Sequence, residues 1–381
     1  MAATPLAPFL LHSIRAENLR SLSQVLWEWQ PCNSCRDKFV CDHSTCPWSK
    51  AGRLQTFFDR YRDLTKAYAP EFPVTRPALS SHDDLVKLIR LIRTHPDVER
   101  NQLLVQHFGS QSTSVDRTAH LDQNRALNVA ASIVFLTNWG TSLDCVDFLE
   151  EGGSSVPWRD NVTAIGFVEE LYPAKSSPLL GRRVDIGSLT ACNLIKAGFQ
   201  LQPTTDLRQH FAMVHYGRKK VIRVYHCAAV LKEMLLAPYA SNTTCLLPRA
   251  LALEALYTLY HVLFPPDADS QTLLSTLIRK YRFDDDLRQY EQSRYKRDDD
   301  PDVDYSYYGV QMADVYDELR EPRPRPGWES WFQKYSAQRY MLMATMIGVF
   351  IAVLLGILGL GVSAFQAWVS YQQWKHPVKE G

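Results

Sequence analysis

From Met341 to Phe365 the chain runs for 25 residues without a charged side chain and without His, Asn or Gln. Thr345 and Ser363 are the only polar side chains in it. At about 1.5 Å per residue such a helix reaches about 37 Å, enough to cross a hydrocarbon layer of about 30 Å with some tilt. A helix satisfies its own backbone in lipid, so the glycines at 348, 356, 359 and 361 are tolerated. Tyr335 and Tyr340 before the stretch, and Trp368, Tyr371 and Trp374 after it, match the aromatic belts of the two interfaces. Residues 341–365 are therefore expected to form one transmembrane helix.

The flanks suggest a direction. Arg323, Arg325, Lys334 and Arg339 precede the span, whereas only Lys375 and Lys379 follow it. An excess of basic residues marks the cytoplasmic side, which puts the large N-terminal part in the cytoplasm. Met1 to Leu11 has an apolar patch but two prolines and no basic start, a poor secretory signal. A single span close to the C-terminus would then insert after translation, as a tail anchor.

Composition narrows the classes for the rest. Lys+Arg 42 against Asp+Glu 41 gives a formal net charge of +1, so no nucleic-acid partner is expected. A hydrophobic share of 46% is too high for general disorder and too low for a multi-pass transporter. The chain divides by pattern into a mostly helical soluble region (1–320), a Pro/Arg spacer with an interfacial aromatic segment (321–340), the transmembrane helix (341–365) and a short tail (366–381). In the spacer, Glu321-Pro-Arg-Pro-Arg-Pro326 reads as stiff and extended, and Trp328, Trp331, Phe332 and Tyr335 as a turn or two of interfacial helix.

The soluble region reads mainly as helix. Ser81-His82-Asp83-Asp84 is a capping box, and Leu85, Leu88, Ile89 and Ile92 follow on one face before Pro96. Leu121 to Asn138 repeats the pattern with Leu127, Ala130, Val134 and Phe135. Pro248 opens a third helix with Leu251, Ala255, Leu259 and Val262 as its stripe, and Pro265-Pro266 closes it. Arg182–Ile186 and Val221–Tyr225 are the best strands. Between them Leu189–Lys196 reads as a helix ended by Gly198.

Four of the eight cysteines fall within residues 32–46: Cys32, Cys35, Cys41 and Cys46, with His43 between the last two. Cys-x2-Cys lets two thiolates converge on one tetrahedral ion, and Cys41 and Cys46 complete four ligands with His43 as a substitute. A structural zinc is the leading reading, since a cytoplasmic setting disfavours disulfides. The later spacings match no common zinc pattern, so unligated or redox-sensitive thiols, disulfides and an iron–sulfur cluster stay open. Cys145, Cys192, Cys227 and Cys245 stand singly in apolar surroundings and read as core.

Asp300, Asp302 and Asp304 imitate the start of a calcium loop, but Tyr305 and Gln311 stand where Gly and Glu are needed, which leaves a solvated acidic turn. No nucleophile elbow, zincin helix, phosphate loop or dinucleotide fingerprint is present. His210 and His215 read as ordinary core or surface histidines. Asn161-Val-Thr163 and Asn242-Thr-Thr244 are glycosylation sequons, usable only if the soluble region lies outside the cytoplasm.

Three stretches together resemble an uncharacterised family of C-terminally membrane-anchored proteins from filamentous fungi. They are Leu189-Thr-Ala-Cys-Asn-Leu-Ile-Lys-Ala-Gly198, the segment Arg339 to Gly348, and Ala364-Phe-Gln-Ala-Trp-Val-Ser-Tyr371 with Trp374-Lys-His-Pro-Val378. The resemblance spans about the last half of the chain and implies the anchored architecture, with no activity and no site residues.

The expectation is a mainly α-helical cytoplasmic domain with a few short strands, plus one C-terminal transmembrane helix. Without a recognisable catalytic motif, the function expected is membrane-tethered interaction or regulation, the alternative being a membrane-anchored enzyme whose polar residues converge only in the fold. The expected partners are the lipid bilayer, a protein partner the residues do not specify, and a second copy. Ala344, Gly348, Ala352 and Gly356 recur every four residues, and small residues at that spacing let two membrane helices pack into a homodimer.

Overall fold

The structure, a computed structural model, describes residues 11, 13–35, 37–68, 77–109, 117–138, 156–176, 185–217, 219–237, 246–289, 292–320 and 340–375. The chain separates into two units, Met1–Arg320 and Glu321–Gly381. Among the described residues it is mainly helical, with one small sheet and one long apolar C-terminal helix.

In the first unit, α1 (Ala16–Trp27), α2 (Gln55–Ala67), α3 (His82–Thr94), α4 (Arg100–Phe108) and α5 (Arg117–Val134) build the N-terminal half. The Ser81 hydroxyl accepts the Asp84 N–H while the Asp84 carboxylate takes the Ser81 N–H, so the capping box forms as the sequence predicts. Behind it Leu85, Leu88, Ile89 and Ile92 are fully buried, and α3 packs against α1 and α5. α5 begins four residues before Leu121 and stops four before Asn138. Tertiary bonds end it early: Leu136 turns to a left-handed φ of 54°, and its carbonyl accepts the Leu207 N–H at 2.8 Å. The Arg60 guanidinium donates to the Ser132 and Thr137 carbonyls at 3.0 and 2.6 Å, satisfying acceptors the helix leaves behind.

After α6 (Ala164–Leu171), a short turn Ile186–Leu189 leads into α7 (Ala191–Lys196), capped by Thr190. Gly198, with φ 91°, then redirects the chain into β1. The strand expected over Arg182–Ile186 is corrected at its end, where Asp185 caps a 3₁₀ turn beginning at Ile186; residues 182–184 lie outside the described ones. β1 (Phe199–Thr204), β2 (Met213–Tyr216) and β3 (Lys219–Tyr225) form one sheet in the order β1-β3-β2. β3 contains the predicted Val221–Tyr225 and lies in the middle, parallel to β1 and antiparallel to β2.

α8 (Ala228–Leu236) and α9 (Arg249–Tyr257) pack together, and α9 continues as a π turn over Thr258–Leu263. Pro248 stands one residue before the helix rather than within its first turn. The predicted stripe Leu251, Ala255, Leu259 and Val262 is buried. The Thr258 hydroxyl donates to the Glu254 and Ala255 carbonyls at the join, and the Phe264 N–H closes the wider turn on the Leu259 carbonyl at 2.9 Å. α10 (Ala268–Tyr281) and α11 (Gly309–Arg320) complete the unit.

The second unit is described through α12 (Tyr340–Lys375), 36 residues long. Within it Met346–Gln372 contains an 18-residue window with a mean hydropathy of 2.5, none of it buried in protein. One helix long and apolar enough to cross a membrane is thus present among the described residues. The predicted spacer 321–326 and the aromatic segment through Tyr335 lie outside the described residues, as do Cys145, Cys245 and Asn242.

Candidate metal centre

Local structure draws the four cysteines together. A 3₁₀ turn over Asn33–Cys35 brings the Cys35 thiol onto the Cys32 carbonyl at 3.2 Å, and the Cys32 N–H points at Cys46 Sγ at 3.4 Å. Cys46 N–H bonds the His43 carbonyl at 3.1 Å, and Cys41 N–H bonds the Trp48 carbonyl at 3.3 Å. Trp48 is the floor of the knuckle. Its side chain is fully buried, its indole N–H donates to the Lys38 carbonyl at 2.8 Å, and its ring meets Trp29 and Phe58 at centroid distances of 6.2 and 6.0 Å. Arg20 of α1 ties the knuckle back to the helices through the Cys32 carbonyl at 3.2 Å.

The sulfurs of Cys32, Cys35, Cys41 and Cys46 all lie within 4.8 Å of one another and could hold a metal ion. Cys32 Sγ is 3.6 Å from Cys35 Sγ and 3.5 Å from Cys41 Sγ, and Cys35 Sγ is 3.9 Å from Cys46 Sγ. A disulfide holds its sulfurs about 2.05 Å apart, whereas a tetrahedron with metal–sulfur bonds of about 2.3 Å spaces them about 3.8 Å apart. The spacing is that of the tetrahedron. All four thiols are free of disulfides. His43 enters through its backbone, and its residue is exposed; four sulfurs complete the donor set without its ring.

Electrostatics distinguishes Cys32 from Cys35 and Cys41. The Ser34 hydroxyl beside it lowers the Cys32 thiol to about 6, and the neighbouring thiols push the same way. Burial pushes Cys35 up to about 12 and raises Cys41 as well. A dication placed among them would favour the thiolate at every position, since the metal charge outweighs these local effects.

The remaining polar residues are spread through the fold. Asp300 pairs with Arg249 at 2.6 Å, Asp302 pairs with Lys296 at 2.6 Å, and Asp304 accepts the Ser306 N–H at 3.1 Å. Each of these carboxylates has its own partner, and Asp300, with 7% side-chain exposure, is a buried anchor rather than part of a solvated turn. His210 is buried between the Tyr225 N–H and the Thr258 hydroxyl, while His215 is exposed on β2. Cys227 is core and Cys192 is half-buried.

Sequence reasoning missed a buried ionic cluster. Lys232 Nζ lies 2.7 Å from Asp286 Oδ2, with both side chains 1% exposed, and also donates to the Gln289 carbonyl. Arg53 reaches the same carboxylate, and Asp284 beside it is pushed up to about 7 by burial and by the charge of Asp286. The only hint in the sequence is a lysine within the apolar run Ala228–Leu236. Geometrically the cluster is a closed set of pairs that joins the turn after the cysteines to α8.

No family model, curated protein or solved structure matches the chain. The resemblance to fungal anchored proteins therefore stays with the sequence stretches that carry it.

Proposed function

We propose that the chain is a membrane-tethered interaction or regulatory protein, with its helical unit in the cytoplasm and α12 as a single C-terminal anchor in the bilayer. The observation that carries this reading is the exposed apolar helix Met346–Gln372, which in water would leave 27 residues of lipid-like surface uncovered. The excess of Arg and Lys before the helix supports the cytoplasmic orientation. The cysteine knuckle is read as one structural zinc, because four thiolates at tetrahedral spacing suit that ion and close its coordination sphere. Such a site stabilises folding and has no open position for substrate.

Interaction rather than catalysis is favoured by where the titratable groups are. Glu254, Asp284, Lys232 and His210 are buried, with polar atoms engaged by neighbouring main chain, by the Thr258 hydroxyl and by the Lys232–Asp286 ion pair. A groove of the first unit is lined by Lys219, two tyrosines, two glutamines and apolar side chains, a set without an acid–base pair.

The test is topology in cells. Asn161 is exposed, so a lumenal orientation would make it a competent acceptor. The full chain is expected to stay with membranes through alkaline extraction and to show no mass shift on deglycosylation. A shift that disappears with Asn161→Gln and Asn242→Gln would put the soluble unit on the other side. Release by alkali would remove the anchor.

A further inference from the structure

The sheet has one side without a neighbour among the described residues. β3 is central, β2 closes one flank and β1 forms the other. The His226 N–H donates to the Thr204 carbonyl at 3.2 Å, and Thr204 stands opposite Tyr225 in the parallel register. Along a strand the N–H and C=O of successive residues point to alternate sides. Thr204, Gln202 and Gln200 therefore face β3, and Phe199, Leu201 and Pro203 face the open edge. The other flank of β3 agrees. Arg223 gives its N–H to Ala212 and takes the Phe211 N–H, both at 2.9 Å, so odd-numbered residues of β3 face β2 and even-numbered ones face β1. Pro203, the one residue of β1 without an N–H, stands where the ladder needs no donor.

A groove of about 760 Å³ runs beside every residue from Phe199 to Pro203. Its other walls are Ile195, Tyr216, Lys219, Val221, Leu277 and Tyr281. Gln200 stands opposite Val221 and Tyr216 opposite Lys219, so the groove lies over one face of the sheet and reaches out to β1, whose outer edge has no strand partner among the described residues. Tyr216 and Tyr281 are 38% and 47% exposed and frame the opening. Lys220 is engaged by Glu318 at 2.7 Å, whereas Lys219, opposite Tyr216 in the hairpin, has no carboxylate partner among the described residues.

We propose that this edge and groove bind an extended peptide segment of a partner protein that carries an acidic side chain. The peptide main chain pairs with Phe199 and Leu201 and ends at the Pro203 carbonyl, its alternate side chains lie against the apolar wall, and its carboxylate meets Lys219. Strand addition uses all three features at once, main-chain pairing for affinity and alternate side chains for selection. A small apolar ligand would leave the edge groups and the cation unused. The proposal rests on the interaction-module reading and names the partner class and the place where it binds.

The experiment uses the full chain in lipid nanodiscs, with a displayed library of random short peptides and empty discs for subtraction. Enriched peptides are expected to alternate apolar residues and to contain Asp or Glu. Lys219→Glu should weaken them by about tenfold or more without moving the thermal melt, since the side chain is exposed. N-methylating one alternate set of peptide amides should abolish binding, and methylating the other set should leave it intact. No enrichment over empty discs, or binding indifferent either to Lys219→Glu or to both methylated forms, overturns the proposal. Glycosylation of Asn161 plays no part in this assay, so the groove and the orientation can fail separately.

Discussion

The Arg53 guanidinium, seven positions after the last cysteine of the knuckle, donates to the buried carboxylate of Asp286 at 2.6 Å across 233 residues of chain. Asp286 also holds Lys232, and Lys50 of the same Pro47–Leu54 turn lies 3.3 Å from the Glu233 carboxylate. The segment that leaves the cysteines is thus fastened by charge to α8 and to the 284–289 turn. Order at the knuckle and order in the core are linked through these pairs.

Removing the two cations of this cluster should have unequal effects. Lys232→Met leaves a buried carboxylate short of a partner and is expected to cost about 3–5 kcal/mol. Arg53, with a side chain 30% exposed, should cost less when changed to Met, about 1–3 kcal/mol. Denaturant unfolding of the full chain in detergent measures both. Equal and negligible losses would mean that the pairs contribute no net stability.

The knuckle should bind metal stoichiometrically. Elemental analysis of purified protein is expected to find about one zinc per chain, and Cys32→Ser with Cys35→Ser should remove it. Chelation should lower the melting temperature of the native protein and leave the double variant unmoved. Metal-free native protein that melts unchanged after zinc addition would rule the site out.

Glu254 should give a pH signature. Burial pushes its carboxyl up to about 7, although the N–H groups of Tyr308 and Tyr307 at 2.6 and 3.1 Å pull the other way. Between the unfolded value of about 4.3 and the folded one the native state binds the extra proton, so this group's contribution is full at low pH and is lost as pH rises toward 7. His210 acts oppositely: burial lowers it to about 3, so its contribution is lost as pH falls below about 6.5. Glu254→Gln removes only the first slope. The melting temperature of the variant relative to the native chain should rise between about pH 5 and pH 7. A difference that stays constant over that range would show that the carboxyl does not titrate there.

The anchor should self-associate through its small residues. Ala344, Gly348, Ala352 and Gly356 recur along α12, and nothing lies within 4 Å of a Cβ built at Gly348 or Gly356. Close backbone approach then supplies packing in lipid. In a membrane two-hybrid assay on α12, Gly348→Leu with Gly356→Leu should abolish pairing, while Leu354→Ala should change little. Equal signals from all three would leave the helix as an anchor alone.

Two kinds of information are separable in this protein. The apolar helix, the Ser81 capping box, the buried stripes of α3 and α9 and the four-cysteine cluster were all legible in the sequence. Each depends on residues a few positions apart, so local periodicity and spacing suffice. β1 was not legible, because Gln200, Gln202 and Pro203 look like loop until β3 supplies a partner. The early end of α5 was hidden for a similar reason, since Arg60 and Leu207 take over bonds that the helix would have made. Tertiary structure alone decided that Arg53, Lys232 and Asp286 share one buried site and that a groove opens over the sheet beside β1. Those outcomes join groups from distant parts of the chain, and a charge or a strand edge has no fixed partner until packing removes the water around it.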